Sequence, residues 1–103
     1  MGDLMEMDFE QMQASAGEAS TLLKSMSNEN RLLILCQLLE GEKSVTELQS
    51  HLPLSQSALS QHLAVLRRDG LVTTKRVAQS IYYSLNGTEA RAVLATLYDL
   101  YCA

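Results

Sequence analysis

Several features that would assign this chain of 103 residues to a common protein class are missing from it. No apolar run approaches the roughly 20 residues that a membrane-spanning helix requires, and no signal-peptide pattern is present. No Ser-His-Asp set, phosphate-binding loop or conspicuous carboxylate pair is found, so an enzyme is not predicted. With only two cysteines and no secretion signal, we expect one cytoplasmic domain whose thiols are reduced at rest.

The single proline, Pro53, separates two short predicted helices. Before it, Ser44 and Glu47 have the spacing of a capping box, which opens the first of them. After it, Ser55 is the predicted N-cap of the second helix and Asp69-Gly70 its end. Two short helices joined by about four residues, the second polar at its start, are typical of a helix-turn-helix.

The second helix has one apolar stripe and one polar face. Leu59, Leu63 and Leu66 recur at helical spacing, so this stripe is predicted to be buried. The remaining face carries uncharged side chains that donate and accept hydrogen bonds, as base edges in the major groove require. The predicted base-reading residues are Gln56, Ser57, Ser60 and Gln61.

Two β-prone segments, Leu71–Arg76 and Ile81–Leu85, follow the second helix. Alternation places Ile81, Tyr83 and Leu85 on one face of a half-buried strand. The tip over residues 77–80 has no glycine to favour a tight turn, so the sequence leaves the turn type open. A hairpin at this position is typical of the wing of a winged helix.

The positive charge is concentrated in this region, although the whole chain has a net charge of −4. Arg67, Arg68, Lys75 and Arg76 oppose Asp69 alone, and a basic patch of this kind suits contact with the phosphates of DNA. Two other interpretations remain open. In the first, the segment is only a packed mini-core with a solvated polar face. In the second, it is a winged helix that binds protein.

Three further helices are predicted around this unit, after an acidic, Met-rich segment, residues 1–8, that is expected to be frayed. The first helix has an apolar stripe at spacings of three and four. Asn28 is the predicted N-cap of another helix, from Glu29 to Glu40, which is apolar nearly all round. Thr88 is the predicted cap of the last, which runs to about Tyr101. The stripe of the first helix consists of Phe9, Met12, Ala16, Ala19, Leu23 and Met26.

Four motifs resemble the ArsR/SmtB family of bacterial transcriptional regulators, over nearly everything from Leu22 to the C-terminus. They are Arg31-Leu-Leu-Ile-Leu, Ser55-Gln-Ser-Ala-Leu-Ser-Gln-His-Leu, Leu66-Arg-Arg-Asp-Gly-Leu-Val and Ile81-Tyr-Tyr-Ser-Leu. The resemblance implies a mainly α, homodimeric winged helix-turn-helix with a small β-hairpin (ααααββα), formed by a single domain over residues 9–103. It also implies a nucleoid-associated protein that binds double-stranded DNA at an imperfect inverted repeat. The first and last helices would form the dimer interface, through Phe9, Met12, Ala16, Leu94, Leu97, Tyr98 and Tyr101.

The ligands that many members of that family use to bind metals are not at the corresponding positions here. The segment Val45–Gln49 has no cysteine, and the last helix has no histidine. His51 and His62 lie in the DNA-binding unit, where we expect His62 to complete a hydrogen-bond arrangement. Four suitable ligands cannot be assembled, so neither a metal nor another cofactor is predicted.

Cys36 and Cys102 remain as candidate sensing residues. From composition alone they are two buried, small hydrophobic residues, and an apolar neighbourhood or a helix C-terminus disfavours a thiolate. Their positions, however, resemble the HlyU/BigR/SqrR-like dithiol subgroup of the family. That resemblance implies a repressor or anti-repressor in which reactive sulfur species bridge the two thiols by a disulfide or polysulfide and weaken DNA binding. A thiol-independent DNA-binding anti-repressor of virulence genes is the main alternative.

Overall fold

The computed structural model describes residues 8–102. The predicted frayed segment 1–8 therefore lies outside the described residues except for Asp8, whose carboxylate accepts hydrogen bonds from the amides of Glu10 and Gln11 and caps the first helix. No helix in the described part is long and apolar enough to cross a membrane. The elements, in order, are α1 (Phe9–Met26), α2 (Glu29–Leu38), β1 (Lys43–Ser44), α3 (Val45–Ser50), α4 (Gln56–Arg68), β2 (Val72–Val77), β3 (Ser80–Leu85) and α5 (Glu89–Tyr101).

The core lies where α2, α3, α4 and α5 meet the start of the hairpin. The predicted stripe of α4 is confirmed, since Leu59, Leu63 and Leu66 are at most 1% exposed. Burial of each such side chain contributes about 2 kcal/mol. The buried hydrophobic residues are Met26, Ile34, Leu35, Leu38, Leu48, Leu52, Leu59, Leu63, Leu66, Leu71, Val72, Ala90 and Leu94.

The helix-turn-helix unit begins as its sequence predicts. Ser44 and Glu47 form both hydrogen bonds of the capping box at the start of α3, and this interaction with Ser44 lowers the pKa of Glu47. At the start of α4, the hydroxyl of Ser55 accepts from the amide of Ala58 at 3.1 Å. These caps satisfy amide groups that a helix start otherwise leaves unpaired.

Two predictions about helix ends need correction. Helix α2 ends at Leu38 rather than Glu40. Thr88 occupies the N-cap position of α5 but its side chain makes no capping hydrogen bond. The carboxylate of Glu89 instead accepts from the amide of Thr88 itself at 3.0 Å, which satisfies a different amide from those in the first turn that a threonine cap would accept from.

The hairpin is tighter than predicted and belongs to a sheet of three strands. β1, which the sequence did not predict, pairs with β3 to give the order β1-β3-β2. The register ends at Val77 opposite Ser80, which leaves a tip of two residues. The first of these, Ala78, has a φ of 56°, a left-handed conformation that substitutes for the missing glycine.

The prediction for the buried face of β3 holds for two of its three residues. Tyr83 and Leu85 are partly buried against the core. Ile81 is 37% exposed, because it lies near the tip of the hairpin, beyond the reach of the core. We refer to β2, β3 and their tip as the wing.

Candidate DNA-binding face and thiol pair

The polar face of α4 is open to solvent. The predicted base-reading residues, Gln56, Ser57, Ser60 and Gln61, are all exposed. Within residues 8–102 their side chains have no hydrogen-bond partner, so their donors and acceptors are available to a ligand. Because the leucines on the opposite face fix α4 against the core, the four side chains project from a rigid support.

The four predicted phosphate-binding cations fall into two groups. The guanidinium of Arg68 donates to both carboxylate oxygens of Asp69, at 3.1 and 3.3 Å. Lys75 lies 3.1 Å from a carboxylate oxygen of Glu42. Arg67 and Arg76 are exposed and have no ion-pair partner among residues 8–102.

The carboxylate of Asp69 lies at the junction of α1 and α4. Its pKa is lowered first by the hydrogen bond and charge of Arg68, and to a lesser degree by Ser25 and Arg31. Ser25 is only 2% exposed, and its hydroxyl has no hydrogen-bond partner within normal distance among residues 8–102. Asp69 is near enough for a weak electrostatic interaction with this hydroxyl, but the two groups do not form a full hydrogen bond.

Arg31 connects three helices at this junction. From the start of α2 its Nε donates to the carbonyl of Ser25 near the end of α1, at 2.6 Å. Its Nη2 lies 3.4 Å from the carbonyl of Lys24. Its Nη1 lies 3.4 Å from Nδ1 of His62 on α4, a contact that requires the tautomer with the proton on Nε2. The expected hydrogen-bond role of His62 is thus confirmed, while the role of Arg31 was not predicted.

Both cysteines are exposed in the protomer, contrary to the interpretation of two buried hydrophobic residues. Cys36 lies on α2 and Cys102 is the residue that ends α5. Partial burial, first, and the negative charge of Cys102, second, raise the pKa of the Cys36 thiol. The second cause is an electrostatic influence between two thiols that lie on separate helices.

The predicted dimer residues are mostly apolar side chains on the surface of the protomer. Phe9 is 70%, Tyr98 60% and Tyr101 81% exposed. Met12 and Ala16 are also exposed, and Leu97 is half-buried. Leu94 is the exception, because at 2% exposure it belongs to the protomer's own core and offers no surface to a second copy.

Among the described residues, no group of three or more His, Cys, Asp or Glu side chains lies together.

An exposed polar helix supported by a leucine core, beside a two-stranded wing, defines the winged-helix class of proteins. Residues 28–74 match the family described as bacterial regulatory protein, arsR family. The transcriptional activator HlyU of Vibrio cholerae is 55% identical, over 93% of this chain and 89% of HlyU.

Solved structures agree with this match. Reduced HlyU from Vibrio cholerae has a TM-score of 0.85 at 55% identity, covering 91% of this chain and 99% of that one. The transcriptional repressor BigR from Xylella fastidiosa has a TM-score of 0.87 at 41% identity, covering 94% and 99%. This chain belongs to the ArsR family of DNA-binding transcriptional regulators, which are not enzymes, and within it matches the HlyU/BigR-like subgroup.

Proposed function

We propose that this regulator binds operator DNA as a homodimer and that reactive sulfur species release it by bridging Cys36 to Cys102. The observation that carries the proposal is the exposure of both thiols, Cys36 on α2 and Cys102 at the end of α5, in a chain that matches the HlyU/BigR-like subgroup. The influence of Cys102 on the pKa of Cys36 adds support. The family supports a site of action at the nucleoid, in the cytoplasm.

The DNA-binding part of the proposal rests on the exposed face of α4. Gln56, Ser57, Ser60 and Gln61 would read base edges in the major groove. In a dimer, two such helices would lie about 34 Å apart and match an imperfect inverted repeat.

Arg67 and Arg76 are the stronger candidates for phosphate contacts. Arg68 and Lys75 would have to exchange Asp69 and Glu42 for the DNA, since these carboxylates hold them in the free protein. Phosphate contacts fix the register of the protein on the duplex, and base contacts supply the specificity.

The dimer would form through α1 and α5, which flank the core within the single domain 9–103. The exposed aromatic residues Phe9, Tyr98 and Tyr101 would be covered by a second copy. A shallow groove along α1, lined by residues that include Met12, Ala16 and Leu23, extends the same apolar surface. Apolar surface of this extent is typical of an interface between subunits.

The proposed reaction uses two thiols and one persulfide. Attack by one cysteine on the outer sulfur of R–S–SH releases R–SH and leaves a protein persulfide, Cys–S–SH. Attack by the second thiol on the inner sulfur closes the disulfide and releases H₂S. If both cysteines carry persulfides, the same release of H₂S leaves a trisulfide. A direct bridge requires Cα atoms within roughly 7 Å, and each added sulfur relaxes this limit.

The bridge would act on DNA binding through the two helices it joins. It would tie α2 to the end of α5 and so restrict how the two protomers orient their α4 helices. By linkage, it can weaken DNA binding only to the extent that the DNA-bound arrangement disfavours the bridge.

The test is intact-mass spectrometry of the reduced protein after separate treatment with glutathione persulfide, peroxide and oxidised glutathione. We expect the persulfide alone to give an alkylation-resistant product whose mass corresponds to a bridge. Cys36→Ser and Cys102→Ser variants should each fail to give it. Equal bridging by peroxide would replace the proposal with a general redox switch, and free thiols under every reagent would contradict it.

A second candidate is an anti-repressor that competes for DNA independently of its thiols. The raised pKa of Cys36 favours it, because a neutral thiol is a poor nucleophile. This candidate predicts that a variant with both cysteines replaced by serine regulates its promoter as the wild type does, with and without added persulfide. Loss of the response in that variant would exclude it.

A further inference from the structure

A shallow notch separates the middle and last turns of α4 from the wing. Its lining consists of Ser60, Ala64, Arg67, Arg68 and Tyr83. The side chains of these residues carry two hydroxyl groups, two guanidinium groups and one methyl group. Hydroxyl and guanidinium groups are donors suited to an anionic oxygen.

The register of the wing places this notch on a defined side of the hairpin. Tyr83 is opposite Thr74, and Arg76 is opposite Ile81. Because side chains alternate along a strand, Tyr83 and Arg76 lie on the same face, about 7 Å apart along the strand direction. Lys75, opposite Tyr82, lies on the other face, where it contacts Glu42.

The two arginines of the notch differ in whether their charge is available to a ligand. The guanidinium of Arg68 is held by Asp69, whereas Arg67 has no ion-pair partner among the described residues. Neither Ser60 nor Tyr83 uses its hydroxyl in a hydrogen bond within residues 8–102. The ring of Tyr83 packs against the core, so its hydroxyl is held in place before any ligand arrives.

We propose that this notch binds one backbone phosphate of the DNA, with Arg67 supplying the charge and Tyr83 a preorganised hydroxyl donor. The proposal rests on the DNA-binding function proposed above and adds Tyr83 to it as a positioning residue. In a recognition helix the N-terminal residues contact base edges, so its C-terminal half is suited to contact the sugar-phosphate backbone. A phosphate held between α4 and the wing would fix how far the polar start of α4 enters the groove.

The test uses Tyr83→Phe, which removes the hydroxyl and keeps the ring. Tyr82→Phe is the matched control, because it makes the same change on the opposite face of β3. The probe is a fluorescein-labelled duplex of mixed sequence, about 30 base pairs or roughly three helical turns long, since phosphate contacts do not depend on sequence. Affinity is measured by anisotropy over a series of salt concentrations.

We expect Tyr83→Phe to weaken binding about ten-fold for each notch occupied, the effect of losing one hydrogen bond to a charged group. The slope of log K against log salt should be unchanged, because a hydroxyl displaces no counterion. Arg67→Gln should reduce the magnitude of that slope by about 0.9 for each notch occupied. Tyr82→Phe should bind as the wild type does.

Wild-type affinity in Tyr83→Phe, or an equal loss of affinity in Tyr82→Phe, would overturn the proposed phosphate site in the notch. Neither result would contradict the proposed DNA-binding function. A wild-type protein with no salt-dependent affinity for any duplex would overturn the DNA-binding function itself. Thermal unfolding of each variant verifies that its fold is unchanged, which we expect because the hydroxyl of Tyr83 has no partner to lose in the described part of the chain.

Discussion

Replacement of Arg31 by methionine should destabilise the fold by about 2 kcal/mol. The bond from its Nε to the Ser25 carbonyl is only 2.6 Å long and is charge-assisted, so its loss costs about 2 kcal/mol. The helix-dipole effects largely cancel, because Arg31 lies near the C-terminal end of α1, which favours a cation, and in the first turn of α2, which disfavours one. The two contacts of 3.4 Å, to Lys24 and His62, are long and contribute little. Methionine keeps most of the aliphatic volume, so the change reports the lost polar contacts.

The assay is urea unfolding followed by circular dichroism at one fixed protein concentration, because the proposed dimer would make stability depend on concentration. Arg91→Met is the matched control, since Arg91 is exposed on α5 and has no ion-pair partner among residues 8–102. The reasoning is refuted if Arg31→Met and Arg91→Met lose the same small free energy of unfolding, within about 0.5 kcal/mol.

Three further predictions concern helix caps, the wing tip and the thiols. Asn28→Ala should cost about 1 kcal/mol in urea unfolding, because its side chain accepts from two amides of α2, whereas Thr88→Ala, with no capping bond, should change little. Ala78→Gly should stabilise the protein by about 0.5 kcal/mol by relieving the left-handed φ of 56° in the same assay. Cys102→Ser should lower the pKa of Cys36 by removing the neighbouring charge, with burial still holding it above its usual value, and so shift the pH profile of Cys36 alkylation to lower pH. No change in that profile, or equal effects of Asn28→Ala and Thr88→Ala, would contradict these assignments.

The same pKa shift sets the sign of a pH effect on stability. The folded protein holds the Cys36 proton more tightly than the unfolded chain, because burial and Cys102 raise the pKa. The stability that this contributes is present below the unfolded pKa of the thiol and is lost as the pH rises through the folded pKa. The ionisation of Cys36 therefore changes the stability of the fold only in alkaline solution.

The parts of the fold that could be predicted from the sequence depend on local chemistry. The capping box of Ser44 and Glu47 and the Ser55 cap each involve residues within three positions of one another. The leucine stripe of α4 follows from the helical repeat alone. Such signals are contained in a single turn or helix and require no knowledge of distant contacts.

The missed features depend on residues far apart in the chain. β1 is two residues long and exists because it pairs with β3, so no local pattern indicates it. The contact of Arg31 with His62 joins positions 31 residues apart. The pairing of Lys75 with Glu42 likewise removed one cation from the predicted set. The strand pattern around Lys75 cannot show which carboxylate will lie beside this lysine.

Thr88 was a different kind of error, because it concerns the conformation of one residue. A threonine before a helix normally accepts through its hydroxyl from an amide in the first turn. Thr88 instead adopts a helical ψ of −16°, in place of the extended conformation that side-chain capping requires, and its own amide donates to Glu89. The residue type alone did not reveal this backbone conformation.

The most direct test of the account is the DNA affinity of the reduced and the persulfide-treated protein, compared at one salt concentration. We expect treatment to weaken binding of a promoter duplex at least five-fold, the lower end of typical coupling between two sites, and dithiothreitol to restore it. The variant with both Cys36 and Cys102 replaced by serine should bind equally in both conditions. A treated wild-type protein that carries the bridge by mass and still binds with full affinity would contradict the account.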